Sequence, residues 1–465
     1  MVRTSVRPGY VHNASYVRFV RFVFGLLLLS ALQLSAFAQT RMPQLKFTDR
    51  TLQNGMRVLS AVDHSSPTVA IQVWYHVGSK DDPQKRSGFA HLFEHIMFKS
   101  TRNMKSEMMD RLTEDVGGFN NAFTADDKTV YFEVVPSNYL ETLLWAEADR
   151  LAGLNVDDGN FKSERDVVKE EFRLRVLAPP YGRFFYLIEQ KSFAEHPYKR
   201  PGIGSIEDLD AASLEDVKQF HATYYRPDNA MLVVVGDFDQ KQFDAWVDKY
   251  FAPIPKPDRP LPRVTVKEPA RTKEQRFTEY GTNDLPAVGL TYLTPRQADP
   301  DTDVLRVVDA LLSQGESSRL YNSLVYTQQL AAEADANIDA REDLGLFYFI
   351  AVLAGGKKPE DAEKSLLAEI KKLQDTLVSA AELEKAKNQL ITSQLRERED
   401  SNGKALALGD AALLGDPGRV NTDLARLQAV TATDVQRVMK KYFTDQNRLV
   451  LYYLPESAKA AQEGK

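Results

Sequence analysis

The sequence predicts an α+β fold of two homologous halves, each a mainly antiparallel sheet covered by helices on one face. Three observations lead there. Residues 209–233 and 427–451 align at a constant offset of 218: Ser213 meets Thr431, Asp216-Val217 meets Asp434-Val435, Tyr224-Tyr225 meets Tyr442-Phe443 and Asn229 meets Asn447. Helix, turn and strand therefore recur in the same order. A proline-rich run, Pro253-Ile254-Pro255-Lys256-Pro257 with Pro260 and Pro262, separates the copies. Strands alternate with long amphipathic helices, and no G-x-G-x-x-G or Walker loop is present, which sets aside the doubly wound nucleotide binders.

Taken in chain order, residues 1–38 read as a secretory signal. Arg3, Arg7, Arg18 and Arg21 precede the apolar stretch 22–32, and Ala36-Phe37-Ala38 offers a cleavage point before Gln39. An uncleaved anchor is the other reading, although the stretch is short for a membrane span. Either way the bulk of the chain leaves the cytoplasm, across the inner membrane and to the periplasm. The remainder is too long for one ordinary core. Its expected divisions are an N-terminal domain at 39–252, a linker at 253–270 whose prolines favour an extended connector, and a C-terminal domain at 271–460.

Composition excludes several functions. The 465 residues include no cysteine, which removes disulfides, thiolate ligands and cysteine nucleophiles together. The formal charge is -6, and the leader holds arginines but no acids, so the chain beyond it is more acidic still. Nucleic acid is an unsuitable partner for such a surface. No basic block stands after the leader to grip anionic lipid.

Alternating Val69, Ile71, Val73 and Tyr75 predict a half-buried strand near the start of the first half, and Val288, Leu290 and Tyr292 its counterpart in the second. Between the first of these and the repeat lies Gly88-Phe89-Ala90-His91-Leu92-Phe93-Glu94-His95-Ile96-Met97-Phe98. As a helix it sets His91 and His95 one turn apart on one face, so two imidazoles converge on one point. Glu94 stands beside that face, placed to reach a water rather than the metal. This is the inverted zincin order, H-x-x-E-H. With histidine at roughly 2% and glutamate at roughly 7% of residues, an accidental match is expected in about one chain of this length in a hundred.

A catalytic zinc takes three protein ligands and keeps a fourth position open. His64, His76, His196 and His221 have no partner spacing, so a carboxylate is the expected third ligand. In the helical stretch Glu164-Arg165-Asp166-Val167-Val168-Lys169-Glu170-Glu171-Phe172, residues 164, 167, 168 and 171 share a face, with two carboxylates flanking a valine patch. An acid on an apolar face is costly unless paired or metal-bound. Glu171 is therefore the candidate ligand, and Glu164 a supporting or substrate-side group, with Glu170 turned toward solvent. Taken alone, the same stretch also reads as a charged surface helix. The repeat provides an internal control. The offset carries His91 to Asp309, Glu94 to Leu312, His95 to Ser313 and Glu171 to Gln389, so the second half cannot bind zinc in this way.

These residues resemble the pitrilysin, or insulinase, family of zinc peptidases, which includes the mitochondrial processing peptidase and its bacterial relatives. The resemblance spans nearly the whole chain after the leader. It rests on H-x-x-E-H with a glutamate 76 residues past the second histidine, here His95 to Glu171, and on Glu164 upstream. Further support comes from Gly117-Gly118, Asn121-Ala122, Thr124, Asp127, Thr129 and Tyr131, and from His196-Pro197-Tyr198 with Ile203-Gly204-Ser205.

The resemblance implies one Zn2+ per chain, held by His91, His95 and Glu171, with Glu94 as the base of a metalloendopeptidase. It implies that Asn121, Ala122, Phe123 and Thr124 form an edge strand that pairs with the substrate backbone; read from the residues alone, this is a plain edge strand. It further implies a chamber of four such domains, completed by a second subunit and enclosing unfolded peptides. In one respect the chain departs from the family. Members that act alone carry an arginine and a tyrosine where Leu324-Val325-Tyr326-Thr327-Gln328-Gln329-Leu330-Ala331-Ala332 here has Val325 and Ala332. Arg319 and Tyr321 match a structural part of the pattern instead. A homologous second subunit would then carry the missing pair. The alternatives are a non-catalytic peptide-binding or scaffold subunit of the same fold, and a metal-storage protein, which would want further histidine or acidic clusters.

Overall fold

The computed structural model describes residues 44–463. The expected signal segment, 1–38, lies outside the described residues. Among the latter no helix is long and apolar enough to cross a membrane.

The first half runs β1 (Thr48–Thr51), β2 (Arg57–Val62), β3 (Thr68–Tyr75), α1 (Phe89–Ile96), α2 (Met108–Glu114), β4 (Phe119–Thr124), β5 (Thr129–Pro136), α3 (Leu140–Gly153), α4 (Asp158–Phe172), α5 (Gly182–Ser192), α6 (Ile206–Asp210), α7 (Leu214–Tyr224), β6 (Ala230–Gly236) and α8 (Gln240–Tyr250). Its six strands are ordered β1-β2-β6-β3-β5-β4. Only the β2–β6 pairing is parallel.

The second half comprises β7 (Gln275–Gly281), β8 (Ala287–Thr294), α9 (Pro300–Ser313), β9 (Ala331–Asp339), β10 (Gly345–Leu353), α10 (Pro359–Asp375), α11 (Ala380–Glu397), α12 (Ser401–Leu413), α13 (Asp423–Ala429), α14 (Ala432–Tyr442), β11 (Arg448–Pro455) and α15 (Glu456–Glu463). Its strand order, β7-β11-β8-β10-β9, with β7–β11 parallel, repeats that of the first half without the outermost strand. Helices α7 and α14 start on the same capping box, Ser213 with Asp216 and Thr431 with Asp434, which is why the repeat keeps register through polar residues.

One face of each sheet packs against helices of its own half, forming the two largest apolar clusters. The other face is covered by a helix from the opposite half. Ala405, Leu408, Ala411 and Ala412 of α12 lie against Ala70, Trp74, Val130 and Val233 of the first sheet. In exchange, Phe184, Leu187 and Ile188 of α5 lie against Ala287, Leu449 and Leu451 of the second. Strands β3 and β8 are consequently buried on both faces rather than half-buried. Alternation still marks which side faces the main core, but the intervening Ala70, Gln72 and Trp74 meet α12 instead of water. Gly409 is needed there, because a Cβ at that position would overlap the Trp74 ring.

Between α8 and β7 the chain forms no helix or strand and is tied down along its course. Arg226 donates to the carbonyls of Pro257 and Arg259. Glu268 accepts from the amides of Ala194, Glu195 and His196.

The halves also meet through a charged latch. Lys80 is nearly buried and lies 2.8 Å from Asp127, 2.6 Å from Glu342 and 3.2 Å from Asp343. His76 lies 2.7 Å from Glu342, His196 lies 3.3 Å from Asp343, and Arg341 pairs with Asp126 at 3.0 Å. The Tyr198 hydroxyl donates to Asp127. Burial works to raise the Glu342 carboxyl, but His76 and Lys80 outweigh it and hold the group at about 2. His196 chiefly, with Lys80, holds Asp343 at about 2. Both folded values lie below the ordinary carboxylate values of about 4, so the stabilisation is complete above that pH and is lost as pH falls toward 2. The gap in urea midpoint between the wild type and Lys80→Met should therefore be widest at pH 7 and narrow below about pH 4. A gap that does not change with pH would show that these ionisations contribute nothing to the latch.

Candidate metal centre

Helix α1 begins where a buried carboxylate reaches it from outside. Asp82 accepts from the amides of Gly88 at 2.6 Å and Ala90 at 2.9 Å, taking two donors that a helix start leaves free. Burial pushes this group up to about 7. Gly88 precedes the helix at φ 93 and approaches the Gly204 backbone so closely that a Cβ would stand 3.1 Å from its Cα. One face of α1, with Phe89, Ala90, Leu92, Phe93 and Ile96, enters the main apolar cluster. His91 and His95 face α4, their rings 4.9 Å apart and nearly perpendicular.

Helix α4 is capped by Asp157, whose side chain accepts from the Asn160 amide, and is held to the core by Phe161 and Val168. The expected valine patch is half correct: Val168 is buried, whereas Val167 is 46% exposed because it lies on the rim of that face. Glu170 is at the surface, paired with Arg173.

The side chain of Glu171 reaches both imidazoles. Its Oε2 lies 3.4 Å from His91 Nε2 and 3.5 Å from His95 Nε2. Donors about 2.0–2.1 Å from a tetrahedral zinc stand roughly 3.4 Å from one another, so the spacing suits such an ion. Among the described residues this is the one group of histidine and acidic donors close enough to hold a metal. Glu171 Oε2 is also buried without a hydrogen-bond partner, an arrangement that is costly for a carboxylate oxygen and that a cation would relieve. His91 is held down to about 3 by burial first, then by His95 and Arg175, which keeps its ring neutral, as a ligand must be.

Further side chains brace these donors. Glu164 is buried, with Oε2 3.6 Å from His95 Nδ1 and Oε1 2.8 Å from Lys99 Nζ. Burial would raise this carboxyl, but His95, Lys99 and Ser163 bring it below the usual range. Burial would lower His95, and the surrounding carboxylates Glu164, Glu171 and Glu94 raise it. Glu94 receives a 2.6 Å hydrogen bond from Thr124 Oγ1 on its Oε2, and burial pushes it upward. Thr124 ends β4, which pairs with β5 on one edge and, among the described residues, with no strand on the other. Asn121, Ala122 and Phe123 precede it on that edge.

Sequence reasoning missed Lys99, Arg175 and Asp82. The first two stand four residues after His95 and Glu171, a helical spacing that could have found them. In the second half, Ser313 donates to the Ala336 carbonyl and Gln389 to that of Gln314. Arg319 is paired with Glu382, and Ala332 is exposed on β9.

The profile of a family described as Insulinase (Peptidase family M16) matches residues 57–201. A second, Peptidase M16 inactive domain, matches 211–390, the region that contains Asp309, Leu312, Ser313 and Gln389. A zinc protease, PqqE, of Helicobacter pylori is 30% identical over 432 residues, spanning 92% of this chain and 97% of that protein. A probable mitochondrial-processing peptidase subunit beta of Arabidopsis thaliana is 26% identical over 411 residues, or 85% of this chain and 76% of the plant protein. The crystal structure of a protease from Helicobacter pylori superposes with a TM-score of 0.86 at 29% identity, covering 89% of this chain and 100% of that one. The periplasmic protease PqqL from Escherichia coli shares the fold, with a TM-score of 0.71 at 20% identity over 90% of this chain and 49% of its own.

Because Glu164 faces the far nitrogen of His95, Glu164→Gln should weaken uptake of a divalent ion by roughly 10–100-fold, measured by competition with a chromogenic chelator. An unchanged affinity would mean that Glu164 does not orient the ring.

Proposed function

The chain belongs to the insulinase (M16) family of peptidases, and from that premise we propose that it is a zinc-dependent endopeptidase that hydrolyses unfolded peptides within a chamber completed by a second subunit. The observation that supports this most directly is the convergence of His91, His95 and Glu171 through donor atoms 3.4–3.5 Å apart along the Glu171 contacts, with Glu94 on the same helix as the two imidazoles.

In this reading His91, His95 and Glu171 hold the metal, one per chain. Zinc, when bound, supplies a lowered pKa for water and a Lewis acid for the scissile carbonyl. The remaining steps belong to the protein. Thr124 fixes one oxygen of Glu94 and leaves Oε1 to take the proton of the attacking water and return it to the leaving amine. Burial raises Glu94, which brings its basicity closer to the working pH. The open edge of β4, at Asn121 to Thr124, offers backbone donors and acceptors to an extended peptide, so recognition depends little on side chains. Glu164 and Lys99 steady His95 from behind.

A second, homologous subunit would provide the arginine and tyrosine whose places are taken here by Val325 and Ala332. Secretion to the periplasm is supported by the leader at residues 1–38 and by the periplasmic description of one structural neighbour.

Zinc content and hydrolysis of a quenched peptide, with and without chelator, test the proposal together. Glu94→Gln should retain zinc and lose turnover by about 10²–10⁴-fold, whereas His91→Ala or Glu171→Gln should lose the metal. Wild-type activity in Glu94→Gln would end the assignment. Zinc binding with peptide binding but no hydrolysis would identify a non-catalytic subunit of the same fold. The purified chain should be slow alone and accelerate when mixed with a homologous chain bearing the arginine and tyrosine. Full activity without any partner would remove the second subunit from the scheme.

A further inference from the structure

The helix that carries Glu171 does not end as an ordinary α-helix. Residues Arg173–Leu177 widen into a π turn, in which the Ala178 amide donates to the Arg173 carbonyl at 2.8 Å. Gly182 lies against this turn so closely that a Cβ there would press on the carbonyl oxygens of Arg175 and Val176. Isolated π turns inside helices recur at functional sites. This one presents Arg175 to Glu171: Nη2 lies 2.6 Å from Oε1, and the arginine side chain is 70% exposed.

The two oxygens of Glu171 therefore have separate surroundings. Oε1 is taken by Arg175, and Oε2 is buried between the imidazoles without a hydrogen bond. Glu164 shows the same division, one oxygen on Lys99 and the other toward His95. The division has chemical consequences. The last torsion of a glutamate is broad and two-fold, so a free carboxylate can present either oxygen or both. Presenting both would fill the coordination position that a catalytic zinc keeps open for water or substrate. A charge-assisted bond to an arginine is strong and directional enough to withhold one of them.

We propose that Arg175 is a positioning residue for the third metal donor: by occupying Oε1 it leaves Glu171 a single oxygen to offer and keeps that oxygen between His91 and His95. This rests on the metallopeptidase reading above. The arginine end of this pair is exposed, and an ion pair screened by solvent on one side contributes little to folding, so the role is separable from stability.

The test compares Arg175→Ala and Arg175→Lys in the full chain, metal-free and zinc-loaded, with His91→Ala as control. Arg175→Ala should bind zinc about 10–100-fold more weakly by chelator competition. X-ray absorption at the zinc edge should show about one more oxygen neighbour, as Glu171 turns to offer both of its own. The metal-free melting temperature should stay at the wild-type value, and Arg175→Lys, which keeps the charge, should recover much of the affinity. Wild-type affinity and oxygen count in Arg175→Ala would overturn the proposal, as would a lowered melting temperature of the metal-free variant. If His91→Ala loses zinc while Arg175→Ala is unaffected, only this proposal falls. If His91→Ala binds zinc like the wild type, the metal centre itself is wrong.

Discussion

Two helices that are distant in sequence cross so that a buried carboxylate oxygen comes to rest between two imidazoles. The other features of the candidate site serve this crossing. Apolar packing on the inner sides of α1 and α4, through Phe93 and Ile96 on one and Phe161 and Val168 on the other, sets how the helices meet. The polar sides then have no freedom to separate. Glu164 and Glu171 each meet a cation on the oxygen turned away from the imidazoles, Lys99 for the one and Arg175 for the other. Among the described residues Glu94, alone of the three acids, pairs with no cation and accepts from the Thr124 hydroxyl, which suits the proton-exchanging role proposed for it.

Through Thr124 the site joins the mechanical frame of the molecule. The same strand runs into Asp126 and Asp127, which belong to the latch with Lys80, Arg341 and Tyr198. Position of the edge strand, orientation of the Glu94 carboxylate and contact between the halves are thus linked over a few residues. The residues around 196–205 that complete the family pattern share in this arrangement. Tyr198 holds Asp127, and Gly204 lets the start of α1 approach.

Much of this was legible in the sequence. The offset of 218 held through the capping boxes of α7 and α14, and polar caps are local signals that do not depend on tertiary context. H-x-x-E-H placed two rings and an acid on one helix by period alone. Glu171 was singled out because an acid on an apolar face demands a reason, and the structure brings it to the two imidazoles. The part that was not legible is long-range. Alternation in β3 predicted one wet face, and nothing local to Val69, Ile71 and Val73 reveals that α12, more than 300 residues later, covers the other. Val167 was misplaced because helical period gives a face only to within a residue. Asp82 escaped notice because it caps α1 across a loop rather than from the usual neighbouring position.

The reciprocal loan of α5 and α12 has a consequence for autonomy. Neither half by itself would shield the second face of its sheet, since the helix that does so comes from the other half. Cut at the proline-rich segment, the two pieces would have to meet before either sheet was covered, and folding would depend on concentration. Within one chain the same encounter is intramolecular, at an effective concentration set by the connecting segment.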